Sequence, residues 1–300
     1  MNIIGKRNWF FAILGILIIP GIIALFLWGL KPGIDFSGGT LIELNFPNSQ
    51  KVTSDQIQKS LQPLNLENLQ VQMTGDNTVL IRTKLISNDE FNKINDALTK
   101  GIGETKQIRF ETVGPTISKN LTKNAIISVI IASLAIILYI AFSFRKVSAP
   151  ANSFRFGVTA VLALIHDLLF VIGMSAILGH FFNFEIDALF ITALLTIMGF
   201  SVHDTIVVFD RIRENLRIFA NESFEEVANK SVNQTLARSI NTSLTVLLVL
   251  LSLYIFGGET IRNFVLTLLI GIFIGTYSSI FNATPLLVVW QNWVERRKKK

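Results

Sequence analysis

The sequence contains no cysteine among its 300 residues. Disulfide bridges, thiolate metal ligands and cysteine nucleophiles are therefore excluded. The same absence leaves the compartment open, because a chain without cysteine reports nothing about its redox surroundings. Histidine is also scarce, with three residues, so a site built on several imidazoles has few candidates.

Charge is sparse and unevenly placed along the chain. Charged residues make up 16% of the sequence and leave a formal net charge of +6. Within 31–122, ten Lys or Arg residues cancel ten Asp or Glu residues, so the basic excess lies mainly beside apolar runs. This distribution indicates membrane topology and contact with an anionic lipid bilayer, and it gives no support for binding nucleic acid.

Long apolar runs account for most of the sequence. Half of the residues are hydrophobic, and the mean hydropathy is +0.52. A helix crosses the hydrocarbon core with about 20 apolar residues. Six runs have roughly the required length and composition: 9–30, 124–144, 156–179, 186–210, 240–256 and 263–290. The sequence therefore predicts a polytopic α-helical membrane protein with six transmembrane helices, the first of them uncleaved.

Basic residues mark one side of this predicted membrane protein. They lie at Lys6 and Arg7, in the second loop (Arg145, Lys146 and Arg155), in the fourth loop and in the C-terminal tail. The positive-inside rule then places both termini in the cytoplasm. The predicted organisation is a first helix in 1–30, an extracytoplasmic domain in 31–122, five further helices in 123–290 and a basic tail in 291–300. Within 123–290, the cytoplasmic loop 211–239 is expected to form an amphipathic helix that lies at the inner membrane surface.

The segment 31–122 has the pattern of a small α+β domain. Alternating and capped segments, with a hairpin at 75–77, follow one another in the order β-α-β-β-α-β, which predicts a ferredoxin-like fold. Ser87 and Glu90 have capping-box spacing. Gly38 and Gly39 are expected to take positive φ in a sharp turn. This fold is too common to indicate a function.

Ionisable residues inside the apolar runs are the main candidates for function. Asp204 and its neighbour His203 lie in the fourth run, where a carboxylate costs about 2.5–3.5 kcal/mol on insertion scales. A second pair, His166 and Asp167, lies in the third run, and Arg238 precedes the fifth. We hypothesise that Asp204 loads and releases a proton opposite Arg238. The alternative is a static buried pair that only fixes helix packing.

Other site chemistries have weaker support. His166 and His203 could relay protons or could simply bond a neighbouring helix, and we favour the second role for His166. A metal site is not expected, because no third suitable ligand accompanies the His-Asp pairs. The glycine-rich segment 33–40 lacks the P-loop pattern, and no nucleophile, base and oxyanion donor cluster together. Neither a cofactor nor an enzymatic activity is therefore expected.

Small residues in the last run predict close helix contact. Gly271 and Gly275 are four residues apart, with Thr267 and Ser279 at the same spacing. Pro285 is expected to kink the same helix.

Six motifs along the chain resemble one known family. They are GIDFSGGT at 33–40, Gly-Pro at 114–115, ALIHD at 163–167, GFSVHDTIVVFDRIREN at 199–215, NQTLARSINTS at 233–243 and SSIFNATPLL at 278–287. Together they resemble the SecF family, the smaller partner in the SecD–SecF accessory complex of the bacterial protein translocase. The resemblance covers essentially the whole chain, in order.

The resemblance implies a half-unit of the RND superfamily that uses the proton-motive force to assist protein export across the bacterial cytoplasmic (inner) membrane. The implied partners are SecD, the SecYEG channel, YajC and the translocating preprotein. By motif, Asp204 matches the aspartate associated with proton transport, and Arg238 matches the arginine linked to it. His166 and Asp167 match the His-Asp pair in the third membrane helix of the family, whose role is less firmly assigned. His203 departs from the family pattern, which often has Asn or a similar polar residue at this position.

Two alternatives remain at this stage. The chain could be half of another RND exporter that moves lipid or drug, which predicts an apolar substrate cavity in the external domain. It could also be a non-transporting scaffold for SecD, which predicts that Asp204→Asn leaves secretion intact.

Overall fold

The computed structural model describes residues 1–47, 51–75, 77–145 and 152–298. Contacts within the chain divide it into two units, Met1–Lys31 with Ile126–Lys300 and, separately, Pro32–Ala125. Three parts of the sequence predictions lie outside the described residues: Lys146 of the second loop, Asp76 of the hairpin and the end of the basic tail at 299–300.

The smaller unit follows the first helix, α1 (Arg7–Trp28), and is a ferredoxin-like domain. Its elements are α2 (Ile34–Ser37), β1 (Gly39–Asn45), α3 (Ser54–Leu61), β2 (Gln70–Met73), β3 (Thr78–Thr83), α4 (Asn88–Gly101) and β4 (Lys106–Val113). All strand pairs are antiparallel, and the sheet order is β2-β3-β1-β4. The structure thus confirms the predicted β-α-β-β-α-β order, with one additional helical turn before β1.

Strand alternation explains how this domain closes its core. Ile42 on β1 and Ile81 on β3 are paired in register, so their side chains lie on the same face of the sheet. Ile57 of α3 and Leu98 of α4 belong to the same hydrophobic core. All four side chains are fully buried. The chain enters β1 through Gly38 and Gly39, whose φ angles of 72° and 118° confirm the predicted turn.

The larger unit holds the membrane helices. They are α1 and then α5 (Pro115–Ser143), α6 (Ser153–Phe182), α7 (Ala188–Ile218), α8 (Phe224–Phe256), α9 (Glu259–Ser278) and α10 (Thr284–Lys298). By length and composition, the described residues include six helical segments able to cross a membrane, with α9 and α10 forming the last one together. The predicted six-helix membrane architecture is confirmed.

The last membrane segment changes its winding in the middle. A π-helical turn over Ser279–Ala283 joins α9 to α10. Pro285 is the second residue of α10, after Thr284, and it has no N–H to donate to the carbonyl four residues earlier. The irregularity predicted at Pro285 is therefore found as a π turn just before the proline.

The segment 211–239, for which the sequence predicts an amphipathic helix, is helical over most of its length. Residues 211–218 complete α7, and α8 begins at Phe224, so only a short turn separates two long helices. Leu216, Phe224 and Val227 are buried in the helical core instead of lying against the membrane surface. Their apolar face is covered by protein, because the N-terminal residues Ile3 and Ile4 belong to the same cluster.

The N-terminus is held against α8 by backbone hydrogen bonds. Asn229 Oδ1 accepts the N–H groups of Ile3 and Ile4 at 2.8 and 3.2 Å. The amides of Asn229 and Asn233 donate to the Met1 carbonyl at 3.0 and 2.8 Å. We call this arrangement, Met1–Ile4 on Asn229 and Asn233, the N-terminal clamp.

Candidate functional site

The candidate site is built around α9, which contacts α6, α7 and α8. Close approach depends on the small residues of α9. A Cβ on Gly271 would lie 2.1 Å from Ile197 Cδ1 of α7, and one on Gly275 would lie 3.2 Å from the Ser201 Cβ. The predicted small-residue stripe therefore packs against α7, where no larger side chain has room.

Asp167 of α6 lies at one edge of this contact and is fully buried. Ser201 of α7 donates to its Oδ2 atom at 2.6 Å, and His166 Nδ1 lies 3.0 Å from its Oδ1 atom. Ser278 of α9 is a further hydroxyl partner. Three helices thus supply polar groups to one carboxyl, which makes Asp167 a fixed part of the helix contact.

Asp204 lies one helical turn after Ser201 on α7 and is buried, with 6% of its surface exposed. Ser243 of α8 donates to its Oδ2 atom at 3.3 Å, and Thr276 of α9 donates to Ser243 at 2.6 Å. The Thr276 hydroxyl also lies 2.9 Å from the Ile272 carbonyl, so it is linked to Asp204 through Ser243. His203 Nδ1 is 3.6 Å from Asp204 Oδ1, while 65% of the His203 side chain is exposed.

Further hydroxyls link the surroundings of the two carboxyls. Ser279, the first residue of the π turn after α9, donates to the Ser201 carbonyl at 3.1 Å, and its Oγ lies 2.9 Å from Thr205 Oγ1. The resulting polar cluster joins α6, α7, α8 and α9 inside an otherwise apolar bundle.

Hydroxyl partners suit a carboxyl that changes its protonation state. A serine or threonine donates to a carboxylate, and the same group accepts from the O–H of a neutral acid. Because Asp204 is surrounded by Ser243 and Thr276, both of its forms can be hydrogen-bonded without a change of partner residue. A permanent cation in contact would instead favour only the charged form.

Arg238 lies near Asp204, but the predicted ion pair is not formed. No Arg238 nitrogen is within 4.0 Å of an Asp204 oxygen among the described residues, and the Arg238 side chain is exposed. The two residues instead line one cavity of about 340 Å³, which we call the Asp204 cavity. Its lining residues are His203, Asp204, Val207, Arg238, Ser239 and Thr242.

Sequence reasoning missed the hydroxyl partners of Asp204. Ser243 appeared only inside a motif, and Thr276 was not singled out. The sequence did show serine and threonine residues in the apolar helices beside the small-residue stripe. Such residues identify the polar face of a helix, but they do not say which group on another helix that face contacts. No group of three or more His, Cys, Asp or Glu residues able to hold a metal ion occurs in 1–47, 51–75, 77–145 or 152–298.

Comparison with known proteins places this chain in a family. The family model "Protein export membrane protein SecD/SecF, C-terminal" matches residues 93–293, and "SecD/SecF GG Motif" matches residues 23–46. Protein translocase subunit SecF of Anaerolinea thermophila is 46% identical, over 100% of this chain and 98% of that protein. The subunit of the same name from Synechocystis is 39% identical, over 88% of this chain and 84% of its own.

A solved structure supports the same assignment. The translocon-associated membrane protein SecDF of Thermus thermophilus matches with a TM-score of 0.85 and 34% identity over 97% of this chain. This chain spans 39% of the length of that SecDF chain. The chain therefore belongs to the SecD/SecF family of protein export membrane proteins and corresponds to its SecF subunits.

Proposed function

We propose that the chain works with SecD as a proton-driven subunit that assists Sec-dependent protein export across the bacterial cytoplasmic membrane. Its relatives carry the name protein translocase subunit SecF, and it spans 39% of a SecDF chain. The remainder of such an assembly would come from a separate SecD chain. The proposed arrangement has both termini in the cytoplasm and the ferredoxin-like domain outside.

The observation that carries the proposal is the setting of Asp204. Its carboxyl is buried among hydroxyls inside a membrane helix bundle, yet it also lines a cavity that it shares with Arg238. A group that only fixed helix packing would need no cavity beside it. A proton carrier requires both features, because it has to be reachable and has to be tolerated in two protonation states.

The cost of burying a charged carboxylate in the membrane and the energy that one proton gains from the membrane potential are of similar size. A charged carboxylate at membrane depth costs about 2.5–3.5 kcal/mol on insertion scales. One elementary charge moving through a membrane potential of about 100 mV releases about 2.3 kcal/mol. That amount shifts an equilibrium between two helix arrangements roughly 40-fold. One proton per cycle is therefore enough to bias the conformation of the bundle.

We assign the other site residues supporting roles. Arg238 approaches the deprotonated Asp204 across the Asp204 cavity in another arrangement of the helices. Asp167, with His166, holds α6 against α7 and α9, and His203 lies on the exposed side of the carboxyl. The proposed partners beyond SecD are the SecYEG channel, YajC and the preprotein, which the external domain engages as it emerges.

The test is preprotein translocation into membrane vesicles that contain the complex, with and without a proton gradient. Asp204→Asn keeps the size and hydrogen bonding of the side chain but cannot carry a proton. We expect it to abolish the part of translocation that depends on the gradient.

The matched control is Asp210→Asn on the same helix. Asp210 forms a half-exposed ion pair with Arg213 at 2.5 Å, three residues along the helix. Surface pairs of this kind contribute about 0–1 kcal/mol, so gradient-dependent translocation should persist in the control. If Asp204→Asn retains the same gradient dependence as Asp210→Asn, the protein is a scaffold and the proposal is wrong.

A further inference from the structure

The last turns of α10 carry an aromatic and basic stripe. Trp290, Trp293 and Arg297 follow one another at three- and four-residue spacing, so they lie on one face of the helix. Trp293 is 49% exposed, and Arg297 is exposed as well. The stripe lies where the last membrane segment, Thr260–Arg297, comes to its end. Tryptophan is enriched at this depth, where the hydrocarbon of the bilayer meets the lipid headgroups.

The first turn of α6 adds a second wall beside this stripe. The ring of Phe154, which is 68% exposed, meets the Trp290 ring edge to face, with the two centroids 6.2 Å apart. Arg155 donates to the side-chain oxygen of Gln291 and thereby holds the start of α6 against α10. The two helices thus present one continuous aromatic surface. We call it the Trp–Arg face, and its residues are Phe154, Trp290, Trp293 and Arg297.

The Arg297 guanidinium has a defined position at the polar end of this face. Its Cζ atom lies 3.8 Å from the centre of the Trp293 ring, in a cation–π contact. Such a contact uses no hydrogen-bond acceptor, so the N–H groups of the guanidinium remain able to donate. In the part of the chain that the structure describes, no carboxylate lies within 4.0 Å of these nitrogens. A planar fork of N–H donors matches two oxygens of a phosphate group.

The acidic residue of α10 does not neutralise Arg297. Glu295 is the single acidic residue of this helix, and it lies two positions before Arg297, about 200° round the helix axis. Its carboxylate accepts from Gln291 Nε2 at 2.7 Å, on the side that meets α6. The Trp–Arg face is therefore positive at one end and aromatic at the other, which are the properties that an anionic headgroup and an acyl chain require.

We propose that the Trp–Arg face is a binding site for an anionic phospholipid. Arg297 binds the phosphate of the headgroup, and one acyl chain lies along the rings of Trp293, Trp290 and Phe154. A zwitterionic lipid brings a second positive charge close to the guanidinium, so the anionic lipid is preferred. A free phosphate ion would meet the same guanidinium but would gain nothing from the rings. This inference goes beyond the proposed function, because it concerns the lipid bound to α6 and α10 and not the transported proton.

Brominated lipids test the contact directly, because bromine on an acyl chain quenches tryptophan fluorescence at short range. The full-length chain with Trp9→Phe and Trp28→Phe retains Trp290 and Trp293 as its two tryptophans. It is placed in nanodiscs of phosphatidylcholine that contain increasing fractions of brominated phosphatidylglycerol or brominated phosphatidylcholine. We expect half-maximal quenching at a roughly fivefold lower fraction of the brominated phosphatidylglycerol, the factor that one arginine near a membrane surface contributes.

Replacement of the arginine tests which group selects the lipid. Arg297→Gln should remove most of the preference for phosphatidylglycerol. The matched control is Arg296→Gln, which removes the same charge from the preceding exposed residue, about 100° round the helix, and should retain most of the preference. Arg297→Lys keeps the charge without the planar donor fork and should restore only part of it. Quenching by brominated phosphatidylcholine should be equal in all variants, which reports that the tryptophans keep their depth in the membrane.

Three results would overturn the inference. Equal quenching by the two brominated lipids in the parent chain would show that the face does not select an anionic headgroup. Equal losses in Arg297→Gln and Arg296→Gln would show a general effect of surface charge instead of a site. Loss of the preference on addition of inorganic phosphate to the buffer would assign the guanidinium to a free anion and not to a lipid.

Discussion

A close backbone contact between two helices of the larger unit makes a sharp prediction about stability. Gly21 of α1 faces Gly173 of α6, and a Cβ added to Gly173 would lie 2.7 Å from the Gly21 Cα and carbonyl carbon. Non-bonded carbons normally lie about 3.5–4.0 Å apart. The atoms met are backbone, which cannot rotate away, so Gly173→Ala has to push α1 from α6 by roughly 0.8 Å.

The size of the effect follows from two opposing terms. Overpacking of this kind costs about 1–3 kcal/mol. Replacing glycine by alanine inside a helix contributes about 0.5–1 kcal/mol in the other direction. We therefore expect Gly173→Ala to lower the free energy of unfolding by up to about 2.5 kcal/mol. Gly157→Ala on the same helix should raise it by about 0.5–1 kcal/mol, because the nearest atom to its Cβ, Ile140 Cγ2, is 3.9 Å away.

The assay is thermal unfolding in lipid nanodiscs, followed by tryptophan fluorescence. Two of the four tryptophans, Trp9 and Trp28, lie on α1, so the signal includes the helix that has to move. Gly21→Ala should fall between the other two variants, since its Cβ would approach the Gly173 Cα to 3.1 Å. An unfolding temperature of Gly173→Ala equal to or above that of Gly157→Ala would refute the contact as described.

Two further predictions concern a hydroxyl of the site and a carboxyl of the external domain. Thr276→Val removes the donor that lies 2.6 Å from Ser243 and should reduce gradient-dependent translocation severalfold. Thr267→Val on the same helix loses only a bond to the Asn263 carbonyl and should retain it; equal losses in the two variants would contradict the role of Thr276. The pKa of Glu90 is held below its usual value of 4.5, first by the Ser87 backbone N–H and then by the Ser87 hydroxyl. Its stabilising contribution is therefore present above pH 4.5 and is lost as the pH falls through the lowered pKa. Amide hydrogen exchange in the first turn of α4, corrected for the intrinsic rate, should accelerate between about pH 6 and about pH 3 in the native protein and much less in Glu90→Gln; equal acceleration in both would show that this cap has no such role.

Features set by neighbours in sequence could be predicted. The apolar runs identified the membrane helices because lipid imposes length and composition on each span separately. The Ser87–Glu90 capping box forms as expected, with the Ser87 N–H donating to Glu90 Oε2 at 2.8 Å. Each of these features depends on residues that are close together in the sequence, or on composition alone.

Features set by the rotation of one helix against another could not be predicted. Ser243 reaches Asp204 across 39 residues of sequence, and Thr276 reaches Ser243 across 33. In an apolar helix almost any face can be buried, so the pattern does not say which hydroxyl meets which carboxyl. The charges of Arg238 and Asp204 suggested an ion pair, whereas helix packing places them on one cavity without contact.

The surroundings of the first turns of α8 could not be predicted for a related reason. Their mixture of charged and apolar residues predicts an amphipathic helix at the membrane surface. Which groups cover its apolar side depends on residues distant in the chain, here Ile3 and Ile4.

The N-terminal clamp also has a consequence for biosynthesis. The backbone N–H of Ile3 receives its acceptor from a residue 226 positions later in the chain. At a translation rate of about 5–20 residues per second, the ribosome needs roughly 10 to 45 s to deliver Asn229 after Ile3 has been made. During this interval the Ile3 N–H lacks this acceptor, so the N-terminal clamp can close only after the fourth membrane helix, α7, has been synthesised.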